Sequence, residues 1–378
     1  MELPVIDLAP YLSSQAANED SADSLSETDA LKRLCKHVAD CLKEAGALVV
    51  RDPRCSTEDN DRFLDMMETY FGKPDEFKRQ QARPDLHYQV GVTPEGVELP
   101  RSAVDSSVCA DVNGLSEENR PQLPTGPDPK WRYMWRVGPR PGKTRFQELN
   151  AEPVIPPGFP EWADVMNTWG RKMIAAVEVV AEMLAIGFGL ERDAITNLMH
   201  QGPHLLAPTG SDLSRYGKGT VFAGYHYDLN VMTIHGKSRF PGLFIWLRDG
   251  TRVPVKVPDG CLLLQAGKQL EWLTGGECKA GMHEVAVSEQ TLQAVERARR
   301  EGRSLWRVSS TVFGHIASDA NLQPLGHFAD SPTAHLYPPI AAGEFVEAEL
   351  SAINLKRQRV QVQPGTTDQA AVIIDEDT

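Results

Sequence analysis

Apolar residues recur along this chain in two rhythms. Between Ala30 and Lys43, Leu31, Leu34, Val38 and Leu42 fall three or four apart, so they share one face of a helix. Gly46 ends that pattern, and Ala47-Leu48-Val49-Val50 reads as a buried strand. Leu3 to Leu8 alternates weakly as a short strand, and Phe63 to Phe71 is again helical. The longest helical stripe runs from Trp162 to Leu184 through Val165, Met166, Trp169, Met173, Ile174, Val177 and Val180. Its aromatic and Met content reads as core packing rather than a cofactor box. From about Val221 the rhythm shortens to strands: Asn230 to His235, Gly242 to Leu247, Arg252 to Val257, Cys261 to Gln265, Met282 to Val287 and Leu305 to His315. Arg248-Asp249-Gly250, Pro258-Asp259-Gly260 and Gly275-Gly276 break them apart.

Many short strands with tight turns predict a mainly β protein with helical flanks, its core a jelly roll. Three stretches lack either rhythm. Ser13 to Thr28 is polar and reads as a mobile loop. Arg83 to Arg140 is rich in Pro, Gly and charge and reads as loop, of the length that often lines a site. Gln361 to Thr378 ends acidic and reads as a frayed tail. Glu289 to Arg303 is Glu-, Arg- and Ala-rich and reads as a short surface helix inserted between two strands. The chain then divides into an N-terminal module over residues 1–150, helical support over 151–203, a catalytic core over 204–320 and a C-terminal segment over 321–378.

Composition narrows the choice of partner. The 378 residues carry 39 Lys plus Arg against 52 Asp plus Glu, a net charge of -13. That balance argues against a general nucleic-acid binder, which needs clustered positive charge. The six cysteines form no CxxC pair, and their scatter through apolar segments fits reduced, mostly buried thiols. No window approaches a membrane span and the N-terminus carries no basic, apolar leader pattern, so a cytoplasmic protein is expected. Two short motifs carry nothing. Gly187-Phe188-Gly189 follows a helix rather than a strand, so it is no dinucleotide loop. In Gly142-Lys143-Thr144 the spacing is short, and Pro139 and Pro141 intrude on a phosphate loop.

The candidate chemistry lies in the strand-rich half. His226 and Asp228 are two apart, so an extended segment points both to one face. His283 follows far enough downstream for intervening strands to bring it back. Two imidazoles and one carboxylate are the residue types of a facial non-haem iron(II) site, which keeps open positions for other ligands. On its own, His-x-Asp is often accidental, and either histidine is equally at home as a hydrogen-bonded core residue. Arg307 and Ser309, again two apart, pair a guanidinium fork with a hydroxyl, the makings of a carboxylate clamp. Alternation places Thr311, Phe313 and His315 on the same face. Residues 130–136, Lys-Trp-Arg-Tyr-Met-Trp-Arg, interleave basic and aromatic side chains. They read either as a cover for the site or as aromatic anchors for a loop whose arginines stay outside.

From about Ala223 to Phe313 the chain resembles the isopenicillin N synthase-like branch of the 2-oxoglutarate/iron(II) oxygenases. The family's His-x-Asp matches His226 and Asp228, and its distal histidine matches His283. Its strand-and-turn pattern matches "GLFIWLRDGTRVPVKVPDGCLLLQAGKQLEWLTGGECKAGMHEV", and its Arg-x-Ser matches Arg307 and Ser309. The resemblance implies a double-stranded β-helix and a metal triad of His226, Asp228 and His283. It also implies 2-oxoglutarate held by Arg307 and Ser309, with dioxygen as oxidant and a small organic substrate hydroxylated or desaturated. The segment ahead of the first ligand, "LLAPTGSDLSRYGKGTVFAGYHYD", departs from the family, so the tyrosine that often contacts 2-oxoglutarate has only Tyr216 as a candidate. The family's Gly-Asp becomes Gly267-Lys268, where the lysine is either a solvated turn residue or an anion contact. Two rivals stand beside this reading: an iron oxidase of the same fold without 2-oxoglutarate, and a non-catalytic metal- or ligand-binding barrel.

Overall fold

The computed structural model describes residues 3–16, 24–124 and 126–356. Two sheets carry the fold. The larger has ten strands and runs Val5–Asp7, Ala47–Arg51, Leu262–Ala266, Met232–Gly236, Ser310–Gly314, Leu205–Leu206, Trp131–Arg136, Thr209–Asp212 and Trp306–Val308, with Gly91–Thr93 added beside Trp131–Arg136. The smaller has four strands, in the order Arg252–Pro254, Leu243–Trp246, Met282–Ala286 and Val221–His226. Its pairings are all antiparallel, as are those of the larger sheet except where Val5–Asp7 meets Ala47–Arg51. Residues of both sheets wall one cavity, so the sheets face each other as in a jelly roll without closing into one barrel.

The long apolar stripe forms the helix Trp162–Gly187, which packs its buried face under the larger sheet. Trp169 fixes that contact, its indole N–H donating to the Ser310 hydroxyl at 2.7 Å. The helix Ser24–Ala45 lies against the same support. Gly187 permits the closeness, because a Cβ there would stand 2.3 Å from the Cys35 carbonyl oxygen. Gly187→Ala is therefore expected to lower stability by about 1–3 kcal/mol, the usual cost of overpacking, as a drop in melting temperature with metal binding preserved.

Several expectations need correction. The loop expected over Ser13–Thr28 is helical at both ends, in Ala9–Ala16 and Ser24–Ala45, because the polar residues sit at helix termini. Its middle and the tail from Gln361 to Thr378 lie outside the described residues. The stretch from Arg83 to Arg140 contains the helix Ser106–Gly114 and two strands, Gly91–Thr93 and Trp131–Arg136. In the latter strand Trp131, Tyr133 and Trp135 join the main core. Arg132 and Met134 face the opposite way, into the protein, so the arginines are not outside. The expected strand from Leu305 to His315 divides at Ser309 into Trp306–Val308 and Ser310–Gly314, which pair with different partners.

The insertion is helical as expected, over Glu289–Arg300, and Ser288 caps it by accepting from the Thr291 amide. It is not a purely surface element. Ala294, Val295 and Ala298 are buried in a small cluster with Leu213, Phe222 and Phe240.

Candidate metal centre

His226 ends the strand Val221–His226, and Asp228 lies just beyond it. Antiparallel pairing sets His283 directly opposite His226, and the register slips immediately after that pair. The distant histidine is thus delivered by strand register. The two rings lie 4.1 Å apart between centroids. Asp228 stands between them, Oδ1 at 3.8 Å from His226 Nε2 and Oδ2 at 3.7 Å from His283 Nε2. One nitrogen from each histidine and one carboxylate oxygen fall within 4.8 Å of one another.

The surroundings prepare these atoms for a cation. His226 Nδ1 lies 2.6 Å from the Gly224 carbonyl, so it donates there and leaves the Nε2 lone pair free. The Thr233 hydroxyl donates to Asp228 Oδ2 at 2.6 Å. Burial and the neighbouring His283 push His226 down to about 3, so its ring is neutral, as a metal ligand must be. Burial alone would raise the Asp228 carboxyl, but His283 and His226 hold it below its ordinary range. Two imidazoles and a carboxylate converging on one point fit a divalent iron ion. Thr233→Val leaves the carboxylate without its orienting donor and is expected to weaken iron affinity about 10- to 100-fold, measured by competition with a chelator.

Two chambers meet at His226 and Asp228. The inner one, of about 490 Å³, extends from His226, Asp228 and His283 to Arg307 and Ser309, with Thr311 and Phe313 on its wall. Of the residues expected on one face, Arg307, Ser309, Thr311 and Phe313 line this chamber across the break at Ser309, whereas His315 does not. Arg307 is only 5% exposed. Its Nε lies 3.4 Å from the Pro241 carbonyl, and among the described residues it pairs with no carboxylate. Burial lowers its pKa to about 10, which still leaves the guanidinium charged at neutral pH. Ser309 Oγ accepts from the Thr209 amide and hydroxyl, both at 2.9 Å, so its own proton remains to be donated. The outer chamber, of about 720 Å³, shares His226, Asp228, Arg132 and Phe313 with the inner one. His315 lies on its wall, as do Leu205 and Leu350.

Tyr216 is corrected. Its hydroxyl donates to Glu95 and its ring packs edge-on to Phe222 at 5.5 Å, and it lines neither chamber. A tyrosine beside a Gly-Lys-Gly turn has no strand register to aim it inward. Lys268 is neither a freely solvated turn residue nor an open anion contact, since it pairs with Glu271 at 2.6 Å. Sequence reasoning missed His235, which lines the inner chamber. Its Nδ1 meets Thr311 Oγ1 at 3.0 Å and its Nε2 meets Gln265 Oε1 at 3.1 Å, so both nitrogens are engaged. Burial and His283 lower it to about 4, leaving a neutral wall residue. Its signal was alternation, because it lies two residues from Thr233 on the strand Met232–Gly236. Glu98 and Asp128, on the outer wall, were also missed.

Residues 200–316 match the family model for the 2OG-Fe(II) oxygenase superfamily, a span that holds all three clustered residues together with Arg307 and Ser309. Over that span the chain is similar to that superfamily. The flavonol synthase/flavanone 3-hydroxylase of Matthiola incana is 21% identical to this chain over 210 residues, covering 53% of the chain and 64% of the relative. The chain thus spans somewhat less than two thirds of that relative. Among solved structures, a 2OG-Fe(II) oxygenase family protein from Caulobacter crescentus matches with a TM-score of 0.67 and 22% identity, over 93% of this chain and 99% of the other. A full-length Neurospora crassa protein, solved in complex with alpha-KG, matches with a TM-score of 0.67 and 15% identity, over 92% and 96%. These likenesses are of fold. No helix among the described residues is long and apolar enough to cross a membrane.

Proposed function

We propose that this protein couples the oxidative decarboxylation of 2-oxoglutarate to hydroxylation or desaturation of a small organic molecule. His226, Asp228 and His283 would hold iron(II). Bound there, iron supplies the redox chemistry with dioxygen. The observation that carries the reading is the position of Arg307. A buried, charged guanidinium without a carboxylate partner stands beside a hydroxyl with a proton to give, in a chamber that begins at the metal ligands. A dicarboxylate fills that chamber with charge of the right sign at its far end, where Arg307 and Ser309 would hold it. His235 and Thr311, bonded to each other, give the wall between the two ends fixed dipoles. In the overall reaction one oxygen atom enters succinate as carbon dioxide leaves, and the other hydroxylates the substrate or departs as water on desaturation.

The outer chamber meets the same histidine and aspartate, so a substrate there lies beside the metal position while Arg132 and Phe313 border both spaces. The acidic balance of the chain supports a small molecule rather than nucleic acid. Six unpaired cysteines, five of them buried, suit the reducing cytoplasm. The solved Neurospora crassa complex with alpha-KG and thymine, and that of JOX2 with 2OG, Fe and JA, supply precedents for small ligands on this fold.

The oxidase alternative uses the same clamp for its own substrate, and a binding barrel has no use for open metal positions. Incubation with iron, ascorbate, oxygen and labelled 2-oxoglutarate separates the three. The proposal expects labelled succinate in step with oxygen uptake. Oxygen consumption with no succinate, under any substrate, would replace it with the oxidase reading, and no iron-dependent uptake at all would leave the binding barrel.

A further inference from the structure

The outer chamber contains a built polar wall that the metal centre and the clamp do not use. Glu98 and Asp128 come from separate stretches joined by backbone hydrogen bonding, the Asp128 amide donating to the Glu98 carbonyl at 3.0 Å. Glu98 is 9% exposed and Asp128 3%. Lys130 Nζ lies 3.1 Å from Glu98 Oε1 and also pairs with Asp128, and Arg132 lies 3.2 Å from the same Glu98 oxygen. Two cations and two carboxylates therefore cancel. Each carboxylate still keeps one buried oxygen without a partner, Glu98 Oε2 and Asp128 Oδ1. Burial works against charge on Glu98, yet Arg132 and Lys130 hold it down at about 2, so it is an ionised acceptor. Burial pushes the Asp128 carboxyl up from its ordinary range.

The same chamber offers donors in the same unfinished state. Asn230 Oδ1 is 3.2 Å from the Thr233 hydroxyl, while its Nδ2 is buried without a partner. Arg132 Nε is likewise unpartnered. The remaining cation on the wall, Arg101, is already committed to Glu349 and Asp105. Leu99, Met134, Leu205 and Leu350 supply an apolar surround. Buried polar groups left open on a cavity wall cost free energy unless a ligand completes them. A carboxylate ligand would leave Glu98 facing another anion, while the wall's guanidinium groups, Arg101 and Arg132, each already pair with a carboxylate.

We propose that the outer chamber selects an uncharged substrate with an apolar body that presents an N–H donor to Glu98 beside a carbonyl acceptor, as an amide or lactam does. The proposal rests on the oxygenase reading above, since it takes the outer chamber as the substrate's place. Removing the donor from such a ligand should cost about ten- to a hundredfold in affinity, the usual loss of a hydrogen bond to a charged group.

The test is calorimetric titration of the iron-loaded, oxygen-free protein, with and without 2-oxoglutarate, using 2-quinolinone, N-methyl-2-quinolinone and 2-naphthoate as probes. The lactam should bind, its N-methyl derivative at least tenfold more weakly, and Glu98→Gln should abolish that preference. The comparison on the unaltered protein stands even if Glu98→Gln misfolds. Equal binding of the lactam and its N-methyl derivative would overturn the proposal. So would naphthoate binding that persists in Arg307→Lys, because the anion would then sit in the outer chamber. Naphthoate binding that Arg307→Lys removes would count against 2-oxoglutarate as the clamp's ligand, and the lactam comparison would still decide the present proposal.

Discussion

Asp228→Ala is expected to abolish turnover and to weaken iron binding by on the order of a hundredfold or more, beyond what loss of a supporting hydrogen bond costs. His226→Ala and His283→Ala should do the same, because each removes one of three converging donors. The fold should survive. Asp228 lies past its strand, its side-chain hydrogen bond is to Thr233, and that hydroxyl has Asn230 Oδ1 in reach at 3.2 Å. Asp228→Glu is a stricter test. Its extra methylene displaces the carboxylate by about 1 Å, and such misplacement can cost about a hundredfold in rate. Iron affinity and oxygen uptake decide the matter. An Asp228→Ala protein that binds one iron tightly and consumes oxygen normally would remove these residues from the metal.

Arg307→Lys should raise the requirement for 2-oxoglutarate about ten- to a hundredfold, the cost of losing a hydrogen bond to a charged group. Lysine keeps the charge but not the planar fork, and its ammonium is harder to strip of water in a site this buried. Ser309→Ala should act more mildly, since Thr209 then loses its acceptor while the chamber keeps its shape. Iron affinity should not change in either variant. The readout is the metal-to-ligand charge-transfer band on anaerobic addition of 2-oxoglutarate. An undiminished band in Arg307→Lys would show that the guanidinium holds something else.

The parts of the site that sequence conveyed are those tied to periodicity. His226 and Asp228 share a face because strands alternate, and Arg307, Ser309, Thr311 and Phe313 do so across a break that leaves their direction intact. His283 was legible only through family resemblance, since no spacing rule states which strand will lie opposite another. The strand Trp131–Arg136 shows how a true alternation can be overlooked. Its aromatic residues do alternate with Arg132, Met134 and Arg136, and the arginines left solvent open as one reading, whereas both faces are buried. Charges there are stable because Glu98 and Asp128 arrive from elsewhere to neutralise them. Such compensation is a tertiary fact that local composition does not carry. Tyr216 failed for the complementary reason: residue type alone, without register, gave it no direction.

The two chambers draw on different parts of the chain. The inner one is built almost wholly from residues 200–316, the span of the family model. The outer one takes much of its wall from Gln89 to Met134 and from Leu350, Ile353 and Leu355. Those stretches are stitched to each other by the Arg101–Glu349 ion pair and by the Leu99 amide donating to the Ile353 carbonyl at 3.3 Å. Most of the outer wall can be redrawn without touching the residues proposed to hold the metal or to form the clamp. On the proposed reading, changes in the two stitched stretches would alter which substrate fits while the groups proposed for the metal and the clamp stay in place.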